Sequence, residues 1–201
     1  MTANKELKIG GILLAAGGSS RLGRPKQLLN FKGKTLIRRA AETLVDSQCD
    51  PIVVVLGAEI ELSTAELDGL NVAISTNEKW QAGMSSSITS GLRSLLEIES
   101  SLDGVIITLC DQPHVMSTDI DRLITAFTVS GPRVVAAKYG ETTGVPALFS
   151  KEMYDELFTL TGDKGARQII RNHGDLVEAV VVEKAAIDID TLDDRDRLIS
   201  N

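Results

Sequence analysis

Short apolar runs with almost no polar interruption constrain this chain more than any other feature: Ile9 to Leu14, Ile52 to Leu56, Val72 to Ile74, Val105 to Leu109 and Val134 to Ala137. A strand with one wet face alternates apolar and polar side chains. Continuous apolarity instead implies that both faces are covered, as in a parallel sheet between helical layers. Between the runs lie stripes of helical period. Thr35 to Val45 carries Leu36, Ile37, Ala40, Ala41, Leu44 and Val45 on one side. Ser86 to Ile98 repeats this with Ile88, Leu92, Leu95 and Leu96, and Ser117 to Thr128 with Ile120, Leu123, Ile124 and Phe127. Ser117 or Thr118 is the expected N-cap of the last. Alternating strand and helix predict an α/β fold of three layers, doubly wound around a mostly parallel sheet.

After Ala137 the pattern weakens. Gly140 to Pro146 leads into a short apolar piece, then come helices over Lys151 to Phe158 and Lys164 to Arg171, and a late strand over Leu176 to Val182. No repeat, low-complexity tract or linker interrupts the chain, so residues 1–201 are read as one domain. The scarcity of aromatics, at 3%, leaves the core to Val, Ile, Leu and Ala. A net charge of −7 argues against broad nucleic-acid binding, which needs a basic face to displace counterions. No run nears the 18 or so apolar residues of a membrane span, and the N-terminal segment lacks the apolar stretch of a secretory signal. Cys49 and Cys110 form no CxxC pair, which favours a reduced, cytoplasmic setting. His114 and His173 have no second histidine at ligand spacing, so a zinc site is not expected.

The first apolar run ends in Leu14-Ala15-Ala16-Gly17-Gly18-Ser19-Ser20-Arg21-Leu22-Gly23-Arg24-Pro25-Lys26. Open α/β sheets bind ligands beyond the carboxyl ends of their strands. Small residues there let the backbone approach a phosphate chain, successive N–H groups can form an anion nest, and Arg21, Arg24 and Lys26 add positive charge. Two familiar loops do not fit. The spacing is not GxGxxG, because Gly17 and Gly18 are adjacent and the next glycine is Gly23, and Gly23 is followed by Arg24-Pro25 rather than by the Lys-Ser/Thr of a P-loop.

Later segments supply further chemistry. Trp80-Gln81-Ala82-Gly83-Met84-Ser85-Ser86-Ser87-Ile88-Thr89-Ser90-Gly91-Leu92 crosses from loop into helix, where serines are good caps. Cys110-Asp111-Gln112-Pro113 ends a strand with a carboxylate, which could ligate Mg²⁺ or cap the next helix. In Asp188-Ile189-Asp190-Thr191, alternation sends Asp188 and Asp190 to one face, where two carboxylates repel unless a cation separates them. A solvated acidic tail is the other reading. Thr161-Gly162-Asp163-Lys164-Gly165-Ala166-Arg167 reads as a helix start capped by Asp163, with Lys164 and Arg167 available to an anion.

LAAGGSSRLGRPKQLL resembles the signature loop of the MobA-like NTP transferases, with Leu22 where Met is usual. Its Ala-Ala-Gly and Pro-Lys features most resemble the molybdenum cofactor cytidylyltransferase branch. CDQP, DIDT followed by DD, Thr143-Gly144-Val145-Pro146-Ala147-Leu148-Phe149 and the Gly162 to Arg167 string are similar to further elements of that branch, so the likeness runs from Gly11 to Asp194. The resemblance implies a nucleotide-diphospho-sugar transferase-like fold. It implies a nucleotide site built from Leu14, Ala15, Ala16, Gly17, Gly18, Ser19, Gly83, Ser86 and Ser87, with Arg21 and Lys26 clamping the triphosphate and Lys26 at the α-phosphate. It implies Mg²⁺ held by Asp111 and by Asp190 in preference to Asp188, and an acceptor pocket including Gly144, Pro146, Lys164 and Arg167.

The expected reaction transfers CMP from CTP to the phosphate of Mo-molybdopterin, a phosphorylated pterin, and releases pyrophosphate, with a molybdoenzyme or maturation factor as a possible partner. Rival expectations are guanylyl or sugar-phosphate transfer, an NAD(P)H-dependent oxidoreductase acting on a heteroaromatic pigment, and a non-catalytic carrier of the molybdenum cofactor.

Overall fold

The computed structural model describes residues 7–18, 25–189, 194 and 196. Its main sheet has seven strands: β1 (Ile9–Ala15), β4 (Ile52–Leu56), β5 (Ala73–Thr76), β6 (Gly104–Leu109), β7 (Val134–Tyr139), β8 (Thr142–Ser150) and β9 (Val177–Val181). A two-stranded ribbon, β2 (Asn30–Phe31) with β3 (Lys34–Thr35), sits apart from it. The helices are α1 (Leu36–Val45), α2 (Ile60–Ala65), α3 (Met84–Ile98), α4 (Ser117–Ser130), α5 (Tyr154–Thr159) and α6 (Ala166–Asn172).

The strand order is β5-β4-β1-β6-β8-β7-β9, and every neighbouring pair is parallel except those made by β8. The continuous runs are explained by burial on both sides. Ile9, Leu13 and Ala15 of β1 pack with Ile37, Ala41 and Leu44 of α1 and with Ile120, Leu123 and Phe127 of α4. Ile12 and Leu14 point the other way, among Ile88, Leu92 and Leu95 of α3, Leu157 of α5 and Ile169 of α6. Each fully buried aliphatic side chain contributes about 1.5–3 kcal/mol, so the three layers follow from the strand pattern. Among the described residues no helix is long and apolar enough to cross a membrane.

The crossover from β1 leads away to β4 and β5, whereas the chain leaving β6 turns toward β7, β8 and β9. The sheet therefore has its switch point between the carboxyl ends of β1 and β6, where open α/β sheets form a crevice. Leu14 lies opposite Leu109 in the parallel register. The glycine segment after β1 and the acidic segment after β6 thus emerge side by side, one strand spacing apart, about 4.8 Å.

Several expectations are corrected. The third run is shifted to Ala73–Thr76, and α2 and the β2–β3 ribbon were not expected. Neither Ser117 nor Thr118 caps α4: the N-cap is Met116, whose N–H donates to Asp119 Oδ2 at 3.1 Å. The last two helices are shorter than expected, because Lys151–Met153 forms a 3-10 turn and α6 begins only at Ala166. Asp163 does not cap α6, whose N-cap is Gly165 without a side-chain bond. The piece after Pro146 belongs to a nine-residue strand that runs antiparallel to both β6 and β7.

Candidate active site

At the switch point lies a cleft of about 460 Å³. Its walls come from the end of β1 (Leu14 to Gly17), from the end of β6 (Leu109, Cys110, Asp111), from Lys26 and Gln27, and from the Trp80 to Met84 segment with Ser87 and Asp163. Lys26 opens a 3-10 turn preceded by Pro25, which fixes its entry. Lys26 Nζ donates to Asp111 Oδ2 at 2.7 Å across 85 positions of sequence. The two side chains are only 14% and 21% exposed. The other carboxylate oxygen, Asp111 Oδ1, is buried without a hydrogen-bond partner among the described residues. An acceptor atom desolvated in this way is costly unless a cation meets it.

Ile189, in the acidic stretch near the C-terminus, reaches the same place. Ile189 donates its N–H to the carbonyl of Asp111 at 3.0 Å and buries its side chain with Leu29, Phe31 and Leu36. Asp188 is exposed. Gln112, buried beside Asp111, donates through Nε2 to the carbonyls of Val145 at 3.1 Å and Ala185 at 2.8 Å. One side chain thereby ties the end of β6 to β8 and to the C-terminal segment. Ser19, Arg21 and Asp190 lie outside the described residues.

The serine segment turns out to be largely structural. Gly83 caps α3 in a conformation (φ 108°) that favours glycine, and a Cβ there would collide with the backbone of Gly162. Ser85 Oγ donates to the Gly162 carbonyl at 2.8 Å. Ser86 Oγ accepts from Asn77 Nδ2 at 2.8 Å and lies 2.8 Å from the Gly83 carbonyl, while Ser87 Oγ accepts from the same amide at 3.0 Å. Of the two serines assigned to the nucleotide, Ser87 lines the cleft and Ser86 is spent on its own loop.

The residues assigned to the acceptor divide. Gly144 and Arg167 come together at the β7–β8 hairpin, where Arg167 Nη2 donates to the Tyr139 hydroxyl at 3.0 Å. Arg167 lines a second cleft of about 470 Å³ with Lys138, Thr142, Thr143 and Arg171. Pro146 is buried in β8, and Lys164 is exposed in the loop before α6. Asp163, expected to be a cap, lines the first cleft instead.

Cys110 also lines that cleft, but burial, followed by the neighbouring Asp111 charge, pushes its thiol up to about 12. It stays protonated near neutrality and is a poor nucleophile. Trp80, Gln81, Met84 and Gln27 also line the cleft, although the motifs that contain them assigned them no site role. For the Trp80 segment a signal existed, since it follows the carboxyl end of β5 and so belongs to the same rim.

Strand order, layers and a crevice at the switch point define a protein of the nucleotide-diphospho-sugar transferase fold class. Within that class the chain belongs to the MobA-like NTP transferase domain family, whose model matches residues 11–177. It is 32% identical over 200 residues to nicotine blue oxidoreductase of Paenarthrobacter nicotinovorans, covering 94% of this chain and 95% of that protein. It is 25% identical over 156 residues to a probable molybdenum cofactor guanylyltransferase of Bacillus cytotoxicus, covering 78% and 75%. Among solved structures, Rv0371c of Mycobacterium tuberculosis superposes with a TM-score of 0.83 at 26% identity over 97% of this chain and 99% of that one. The same mycobacterial protein is also known in complex with manganese, at a TM-score of 0.77, 26% identity and coverage of 98% and 100%.

Proposed function

We propose that this protein is a Mg²⁺-dependent cytidylyltransferase that moves CMP from CTP to the phosphate of a molybdopterin-type acceptor. The observation that carries the reading is the Lys26–Asp111 pair: an ammonium from the glycine-rich segment and a carboxylate from β6 meet at 2.7 Å in one cleft. Phosphoryl-group transfer is governed by positioning and charge neutralisation, and both charge types are present where the triphosphate would lie. An acceptor phosphate oxygen bonds to the α-phosphorus, the bond from that phosphorus to its bridging oxygen breaks, and pyrophosphate leaves with the electron pair. The acceptor is already an anion at neutral pH, so no strong base is needed, in keeping with a Cys110 thiol held protonated.

In this reading the backbone of Ala15 to Gly18 faces the phosphates, Lys26 leaves Asp111 to meet the α-phosphate, and Arg21 adds charge. Asp111 Oδ1, buried and without a hydrogen-bond partner among the described residues, suits a hard cation that takes oxygen ligands. Asp111 and Asp190 would hold Mg²⁺, which when bound offsets negative charge on the triphosphate. The manganese complex of Rv0371c supports a divalent ion, and the guanylyltransferase relative supports a molybdenum cofactor acceptor. CTP is favoured over GTP by the Ala-Ala-Gly and Pro-Lys features of the loop. Arg167, beside Gly144, is the cation offered to the acceptor.

Pyrophosphate release measured across CTP, GTP, ATP and UTP with Mg²⁺ and the acceptor tests the proposal. Thermal stabilisation gives an independent readout, about 2.7 kcal/mol for a nucleotide at 100 times its Kd. No stabilisation and no pyrophosphate with any NTP would remove the reading. One rival has a specific observation behind it, the 32% likeness to nicotine blue oxidoreductase. It predicts oxidation of NADH or NADPH with a heteroaromatic acceptor, which absorbance at the reduced nicotinamide band detects directly.

A further inference from the structure

Trp80 is the only tryptophan in the chain, and its indole lies across the rim of the cleft between two glycines of different loops. A Cβ built on Gly57, just after β4, would meet Trp80 Cβ and Cγ at 2.6 Å. A Cβ built on Gly18 would meet the far edge of the indole, Cη2 at 2.6 Å and Cζ3 at 3.0 Å. At the neighbouring Gly17 an added Cβ would meet nothing within 4 Å. Close approach of the indole therefore accounts for the smallness of Gly18, and ligand approach is not required to explain it.

The indole is held from behind. Trp80 N–H donates to the Asn77 carbonyl at 3.3 Å, and Asn77 N–H to the Leu56 carbonyl at 2.7 Å. The Asn77 amide clamps Ser86 and Ser87 at the start of α3. Opposite it, Ala58 N–H donates to the Ala16 carbonyl at 3.1 Å, which fixes the Gly57 turn to the end of β1.

We infer that Trp80 is a positioning residue: its rigid bicyclic ring, anchored at Gly57, props the backbone at Gly18 in the conformation that receives the triphosphate. The inference rests on the nucleotide site proposed above and goes beyond it in assigning the loop's shape to a side chain on another strand's exit. Phenylalanine keeps Cβ and Cγ, the part that meets Gly57, but lacks the outer edge that meets Gly18. Trp80→Phe thus removes the prop and at the same time opens room for a methyl group at position 18.

The test is a double-mutant cycle read as KM and kcat for the preferred NTP. Trp80→Phe is expected to raise KM about tenfold with kcat within about twofold, the pattern of lost uniform binding when a loop no longer receives the triphosphate. Gly18→Ala, whose methyl collides with the intact indole, is expected to raise KM by at least as much. The double variant Gly18→Ala/Trp80→Phe is expected to have a KM close to that of Trp80→Phe alone, well below the product of the two single effects. Gly57→Ala collides with atoms that phenylalanine retains, so Trp80→Phe does not rescue it. Thermal melts establish that each variant is folded. Quenching of the single indole by NTP, followed in the parent protein, reports the site directly.

Single effects that multiply, or a folded Trp80→Phe with parental KM, would overturn the positioning role while leaving the nucleotide site standing. A parent protein whose fluorescence and turnover ignore every NTP would remove the nucleotide site, and this inference with it.

Discussion

Replacing Lys26 by alanine separates two quantities that the structure joins in one contact. The ammonium and the Asp111 carboxylate lie 2.7 Å apart with little exposure. At an effective dielectric of about 20 their gross attraction is about 6 kcal/mol. Most of that is offset by the desolvation of both groups, so the net value is that of a charge-assisted hydrogen bond, about 1.5–3 kcal/mol. For a chain of 201 residues, each kcal/mol shifts Tm by about 2–4 °C. The same substitution should cut turnover about a hundredfold, the scale of losing one preorganised charge at a transition state. A third readout moves the other way: with the ammonium gone, Asp111 has one fewer competitor for a cation, so Mn²⁺ or Mg²⁺ without nucleotide should bind severalfold tighter. Lys26→Arg keeps the charge but changes its reach, and should preserve most of the melting temperature while still losing turnover. Pyrophosphate release, thermal melts and metal titration read the three effects separately. Turnover of Lys26→Ala within about threefold of the parent refutes the reasoning, whatever the melting temperature does.

Further outcomes follow from other contacts. Asp111→Asn should raise the metal concentration needed for half-maximal pyrophosphate release at least tenfold, because a neutral amide replaces the buried carboxylate that the cation would meet; unchanged metal dependence would take Asp111 out of the site. Gly83→Ala should destabilise by about 2–4 kcal/mol in denaturant titration, since position 83 combines a left-handed φ of 108° with direct collision against the Gly162 backbone. His114, edge-on to Phe31 at 5.5 Å, has its pKa lowered from the ordinary 6.5 by burial first and then by Lys32, Lys184 and Arg39. A base with a depressed folded pKa binds fewer protons folded than unfolded, so its contribution to stability is lost as pH falls from the ordinary value toward the folded one. His114→Gln should flatten that part of the stability–pH curve; an unchanged slope would show that His114 does not set it.

Local chemistry made much of the cleft legible. The runs at Ile9, Ile52 and Val105 announced buried strands, and two chain segments that leave adjacent parallel strands at a switch point must converge. Lys26 and Asp111 could therefore be paired from sequence although 85 positions separate them. The serine segment was harder, because a hydroxyl near a helix start serves a ligand or the backbone equally well. Only the Asn77 amide, nine and ten positions away, reveals that Ser86 and Ser87 hold the loop. Trp80 carried no motif of its own; its meaning depends on Gly18 and Gly57, which approach it from other strands and share no spacing pattern with it.

The reversal at β8 shows where a periodic reading fails and why. An antiparallel strand covered on both faces has the same apolar run as a parallel one, so the side-chain pattern carries no direction. Direction is set by the connection: only Gly140 and Glu141 separate β7 from β8, and so short a link can close a hairpin but cannot cross the sheet. The polar Thr142, Thr143 and Gly144 hid the start of the strand and with it the shortness of the link. The consequence reaches the site. In a parallel strand the residues that follow the apolar run arrive at the cleft end; in β8 the residues that precede it do. Ala147 pairs with Ile107 near the top of β6, so Val145 comes to the cleft end, where Gln112 bonds its carbonyl, while Gly144 meets Tyr139 and Arg167 at the hairpin. Read as parallel, the same segment would have sent Gly144 and Pro146 to the opposite end of the sheet from the residues they were expected to serve.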